Sequence, residues 1–133
     1  PHGEAFEARV FGEAERQALA LDSCREAPKK AKNDHGDTVR QSALNVSRRA
    51  HKAASAAADF AAKEAFLKAA GTGLREPFSL CEIEAVRLPG GAPAYHFSGR
   101  SAQWMEAHRL RAHLSLSHED GMAMAYCILE TET

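Results

Sequence analysis

Arg109, Arg111 and His113 alternate with Leu110, Ala112 and Leu114. On a strand, alternate side chains project in parallel about 6.6 Å apart, so two guanidiniums and an imidazole would form a flat cationic strip. Flanked by Ser115 and Ser117, such a strip suits carboxylates or phosphates. The competing reading is a polar outer face whose charges pair with Glu82 or Glu84 on another strand. Trp104, Tyr95 and Arg109 are of the types enriched at interaction hot spots, which makes them contact candidates. Tyr95, His96, Arg111 and His113 are the candidate lining of a pocket between helix and sheet.

Other chemistry is sparse. His108, His113 and His118 recur every five residues, but on a strand that spacing alternates faces, so the three do not converge and no metal site is expected. Ser98 and Ser101 flank Gly99 and Arg100 without a nucleophile elbow, and Cys127 sits between apolar neighbours where a thiolate is disfavoured. No phosphate-cradling glycine motif occurs, and no cofactor is expected. The cysteines, Cys24, Cys81 and Cys127, form no CxxC pair and read as free thiols, with a Cys81–Cys127 bridge as the alternative in an exported protein. A basic run at Arg48, Arg49 and Lys52 has no interleaved aromatics, so nucleic acid is not the expected partner.

The elements that would carry these residues are of two kinds. Phe6, Val10, Ala14, Ala18 and Leu21 predict an amphipathic helix over 4–21, and the polar stretch 22–36, with Pro28 and three lysines, predicts a loop. From Asp37 to Ala70 no glycine or proline intervenes, so one helix of about nine turns is expected. Ala43, Val46, Ala50, Ala53, Ala57, Phe60 and Leu67 trace a packing seam along it, broken at Glu64. Gly71 and Gly73 end it. Beyond Pro77 the period becomes two, predicting an antiparallel sheet over 77–133. Its strands are 78–88, with a bulge at Val86, then 94–99, 108–117 and 122–130; Ser101 to Ala107 fits either a strand continuation or a helical turn. His118 to Gly121 would form a four-residue hairpin loop, and strand 122–130 is apolar on both faces.

The expected fold is a single α+β domain over 1–133, with an N-terminal helix and a long alanine-rich helix on a three- to four-stranded antiparallel sheet. Helix followed by meander is similar to the layout of cystatin-like folds, in which the sheet wraps around the helix, although the QxVxG loop of the cystatins is absent. The strand rhythm of the last forty residues is similar to that of PsbP and Mog1-like domains.

Composition narrows the function only a little. The 133 residues are 44% hydrophobic but 7% aromatic, so a few large side chains must carry the core, and a net charge of −1 argues against a general polyanion binder. Charge is divided along the chain, about +3 over 37–70 and −3 over 71–133, which draws helix and sheet together. No apolar run approaches the ~18 residues of a membrane span, and the first residues lack signal-peptide regions. The expectation is a soluble protein, cytoplasmic or exported with its signal removed. With no convergent catalytic motif, the expected function is a non-enzymatic protein-binding module of inhibitor, immunity or adaptor type, using the sheet face or hairpin loops. Its partner would be another protein, and the sequence sets no oligomeric state. The alternative is a small-molecule or anion-binding domain, or an enzyme, with its pocket between helix and sheet.

Overall fold

The computed structural model describes the backbone of residues 9–24 and 35–133 and the side chains of 9–18 and 47–133. In chain order it contains helix α1 (Glu13–Cys24), helix α2 (His35–Ala69), a 3-10 turn (Leu80–Glu82), strands β1 (Ile83–Arg87) and β2 (Pro93–Phe97), helix α3 (Gly99–Ala107), and strands β3 (Leu110–Glu119) and β4 (Met122–Thr131). The mixture of helices and antiparallel strands is the expected α+β class.

α2 runs unbroken for 35 residues, starting two residues ahead of the expected Asp37 and taking in His35 and Gly36 of the expected loop; from Asp37 on no glycine or proline interrupts it. Its buried side differs from the seam expected from sequence. Ala58, Ala62 and Phe66 form one buried row, with Asp59, Lys63 and Leu67 beside it, whereas Phe60 is 40% exposed and Ala53 and Ala57 are exposed. A spacing of 3.5 suits a supercoiled partner helix, but a helix lying on strands buries rows at i and i+4.

The N-terminal helix is interrupted at Phe11 and Gly12 and restarts at Glu13; positions 4–8 of the expected helix lie outside the described residues, as does most of the expected loop. Two carboxylates cause the restart. The Gly12 N–H donates to Glu15 Oε2 at 3.0 Å, one half of a capping box. The other half comes from β1: Glu84 Oε1 accepts from the N–H of Ala14 at 2.8 Å and of Glu15 at 3.4 Å. Gly12 has no side chain to cap its own helix, and Glu84 occupies that space; a Cβ on Gly12 would fall 2.1 Å from Glu84 Cδ.

Glu82 does the same for α3. Its Oε2 accepts from the Ser101 N–H and hydroxyl, both at 3.2 Å, which selects the helical alternative for the segment before β3. The expected strand 78–88 shrinks accordingly to Ile83–Arg87, preceded by the 3-10 turn. Four strands are present, but as two antiparallel hairpins, β1 with β2 and β3 with β4, rather than one three- to four-stranded sheet. The second hairpin closes on Asp120 and Gly121 alone, both with positive φ (50° and 74°), the mark of a two-residue turn rather than a four-residue loop. Phe66, Leu67, Phe78, Ile83 and Met105 form the core, covered by Tyr95, Phe97, Leu110, Ala112 and Leu129 from the hairpins. Cys81 and Cys127 are free and half-buried, so no bridge joins them; the Cys24 side chain lies outside the described residues.

Gly12→Ala should evict Glu84 from the α1 N-terminus and lower the unfolding free energy by about 1–3 kcal/mol, the usual cost of a lost cap and an unpaired buried group. Urea denaturation measures it, and an unchanged midpoint would contradict the capping role of Glu84.

Candidate functional site

The β3–β4 hairpin divides its residues cleanly between two faces. Leu110, Ala112, Leu114 and Leu116 are half-buried, while Arg111, His113, Ser115 and Ser117 are exposed. Opposite them in register stand Glu130, Ile128, Tyr126 and Met124 of β4. The outer face is therefore polar along β3 and largely apolar along β4, where Met122, Met124 and Tyr126 each keep about two thirds of their surface exposed. Arg111 Nη2 donates to Glu132 Oε1 at 3.2 Å, and His113 Nε2 lies 2.8 Å from Glu130 Oε1. The acidic partners of the strip come from the C-terminal end of the chain, since Glu82 and Glu84 are spent on helix caps. Arg109 is exposed, just ahead of β3 with φ 51°, and its carbonyl accepts from the Glu132 N–H at 2.7 Å.

The other candidate residues lie elsewhere. Tyr95 points at the long helix, donating its hydroxyl to the Ala62 carbonyl at 2.7 Å, and burial, followed by its contact with Cys127, pushes its phenol well above the ordinary value. Trp104 packs edge-on to Phe78 at 4.9 Å between ring centres and stacks on His108 at 4.3 Å. His96 is exposed, with Nε2 4.0 Å from the buried carboxylate of Glu84. The expected pocket of Tyr95, His96, Arg111 and His113 does not form, because Tyr95 faces α2 while Arg111 and His113 face away from it.

Charge that the sequence reading did not single out lies inside. The Lys63 ammonium, fully buried, donates to Glu15 Oε2 at 2.7 Å, to the Leu80 carbonyl at 3.0 Å and to the Ile83 carbonyl. Glu15 Oε1 accepts from the Ala85 N–H at 2.7 Å. One turn earlier on α2, Asp59 is also buried, with Oδ1 3.9 Å from Arg87 Nη2. Burial, then the nearby Glu15, raises its carboxyl to about 6 against the lowering pull of Arg87 and Lys63. The signal available in sequence was the spacing: Asp59, Lys63 and Leu67 share one i, i+4 row beside Ala58, Ala62 and Phe66. Among the described residues no cluster has the makings of a metal site, and no helix is long and apolar enough to cross a membrane.

A family profile for the 4′-phosphopantetheinyl transferase superfamily matches residues 1–127. The chain belongs to that superfamily. A holo-[acyl-carrier-protein] synthase of Chelativorans sp. is 36% identical over 97% of this chain and 80% of its own length. That of Leptothrix cholodnii is 42% identical over 55% of each, so the chain spans about half the length of some of the curated relatives it matches. Among solved structures, the synthase of Neisseria meningitidis superposes over 97% of this chain and 82% of its own, with 27% identity and a TM-score of 0.64. The synthase of Bacillus anthracis in complex with CoA (3′,5′-ADP) superposes over 97% and 83%, with 26% identity and a TM-score of 0.65.

These matches correct the functional expectation. The superfamily is one of transferases, so the non-enzymatic binding module, whether inhibitor, immunity or adaptor, is overturned, and the arrangement of helices and hairpins is that of acyl-carrier-protein synthases rather than of a cystatin. The physical reason is that catalytic groups far apart in sequence can converge in the fold, so a chain without a compact motif can still be a transferase.

Two stability measurements test the buried charges. Lys63→Met leaves the Glu15 carboxylate and two carbonyls without their ammonium, and should cost about 3–5 kcal/mol in urea denaturation. Asp59 has its folded value raised from 3.8 to about 6, so its contribution is fully present below about pH 4 and is lost as pH rises through 6. Asp59→Asn should therefore gain stability relative to the parent protein by roughly 1–3 kcal/mol between pH 4 and pH 7.5. A pH-independent difference would contradict the raised value.

Proposed function

We propose that the protein transfers the 4′-phosphopantetheine group of coenzyme A to an acyl carrier protein. The observation that carries this reading is the 36% identity to the Chelativorans holo-[acyl-carrier-protein] synthase over 97% of the chain, supported by the CoA (3′,5′-ADP) complex of the B. anthracis relative. In chemical terms a nucleophile of the carrier forms a bond to the phosphorus that bears pantetheine. The diphosphate bond of coenzyme A breaks, and 3′,5′-ADP departs with the bonding electron pair. Charge builds on the phosphate oxygens during such a transfer, and cationic hydrogen-bond donors stabilise it.

On this chain the strip of Arg109, Arg111 and His113 is the group we assign to the anionic parts of the substrates. Its side chains are exposed, so an incoming phosphate or carboxylate can replace Glu130 and Glu132 as their partner. The protein partner is then the acyl carrier protein itself.

Incubation with coenzyme A and an apo-acyl carrier protein should yield the phosphopantetheinylated carrier by mass spectrometry, together with 3′,5′-ADP. The double variant Arg111→Ala, His113→Ala should raise KM about tenfold or more for one of the two substrates, with an unchanged melting temperature, and the KM that rises identifies which substrate the strip holds. No modified carrier from the parent protein would sink the transferase reading; unchanged kinetics in the double variant would remove the strip from the site.

A further inference from the structure

Between α1, α2 and β1 lies an open pocket of about 340 Å³. Its walls are small and apolar, Ala14 and Ala18 from α1 with Ala85 and Val86 from β1, while Ser55, Asp59 and Arg87 supply polar groups. An apolar pocket with a few convergent polar groups is the form that small-molecule sites take.

Its charges are arranged in competition. Glu15, from α1, is neutralised by Lys63 at 2.7 Å. Asp59 is nine-tenths buried and faces Arg87, whose side chain is 44% exposed, across 3.9 Å, a charge contact longer than a hydrogen bond. With Asp59 ionised, the four groups Glu15, Lys63, Asp59 and Arg87 sum to zero. With Asp59 protonated, Arg87 is the uncompensated cation at the mouth, with the Ser55 hydroxyl also on the lining. A guanidinium fork matches a phosphate, which offers several strong acceptor oxygens, and Ser55 of the lining carries a further hydroxyl donor.

We infer that this pocket is a binding site for a phosphate-bearing small molecule, in which Arg87 meets the phosphate and Asp59 must be protonated to release it. The body of the ligand lies along the alanine and valine walls. Asp59 thus sets both the pH at which the site opens and the charge it accepts. Because the carboxyl sits near 6, the site is mostly latched at pH 7.5 and mostly free at pH 5.5. The inference does not depend on the transfer reaction, since it concerns binding at residues separate from the strip on β3.

Isothermal titration with 3′,5′-ADP, inorganic phosphate and acetate, at pH 5.5 and 7.5, tests it in the Arg111→Ala, His113→Ala background, which removes two of the strip's three groups. At pH 7.5, Asp59→Asn should bind 3′,5′-ADP roughly tenfold to thirtyfold more tightly than its parent, and the ratio should fall towards one at pH 5.5. The ionisation of the phosphate itself acts on both proteins alike and cancels in that ratio. Inorganic phosphate should follow the same ratio more weakly if the apolar walls hold the nucleotide, or equally if the phosphate alone is recognised, and either result supports the site. Arg87→Ala, checked for an unchanged melting curve, should abolish the pH-dependent difference between Asp59→Asn and its parent for both phosphate probes, whatever binding the transfer site retains. A ratio independent of pH, a pH-dependent ratio that survives Arg87→Ala, acetate binding as tight as phosphate, or no binding of either phosphate probe at pH 5.5 would each overturn the inference. Transfer of phosphopantetheine to a carrier is scored separately and is unaffected by any of these outcomes.

Discussion

The Lys63 ammonium is the point on which the fold turns. From the last third of α2 it gathers a carboxylate from α1, the Leu80 carbonyl of the 3-10 turn and the Ile83 carbonyl that opens β1, so that one buried charge joins three segments separated in sequence. A buried ammonium costs several kcal/mol in lost hydration and is tolerated only with full hydrogen-bond satisfaction, which it receives here. Glu15, its partner, also takes the Gly12 and Ala85 N–H groups, so both ends of the pair are held by backbone as well as by charge.

The same economy of carboxylates shapes the segment around β1. Glu82, in the 3-10 turn, reaches the N-terminus of α3, and Glu84, two residues on in β1, reaches that of α1. Helix N-termini carry unpaired N–H groups and a partial positive charge, and each glutamate satisfies both at once. With these carboxylates committed, the ion pairs of Arg111 and His113 among the described residues are with Glu132 and Glu130, both of them exposed.

The hairpin β3–β4 shows how a single alternation can serve two tasks. Its inner face, with Leu110, Ala112, Cys127 and Leu129, completes the core around Phe66, while its outer face sets arginine, histidine and serine of one strand beside methionine, tyrosine and isoleucine of the other.

Some of this was determined by the sequence alone. A stretch without glycine or proline had to be a long helix, and strict alternation from Leu110 had to place Arg111 and His113 on one face, because both follow from local backbone geometry. Local spacing puts Lys63 on one row with Asp59 and Leu67 but does not say that the row lies inside, for a lysine flanked by glutamate and alanine is an ordinary surface pattern until a carboxylate and carbonyls from other elements arrive to solvate it. Equally, the break at Gly12, the shortened first strand and the separation into two hairpins depend on Glu82 and Glu84 reaching helix ends 19 and about 70 residues away. Tyr95 and Trp104 were drawn into the core for the same reason, since with few aromatics in the chain the space around Phe66 needed them. Local periodicity decides which elements exist and which faces they have; only the tertiary structure decides which buried charges meet, because that pairing is made between segments no sequence window contains.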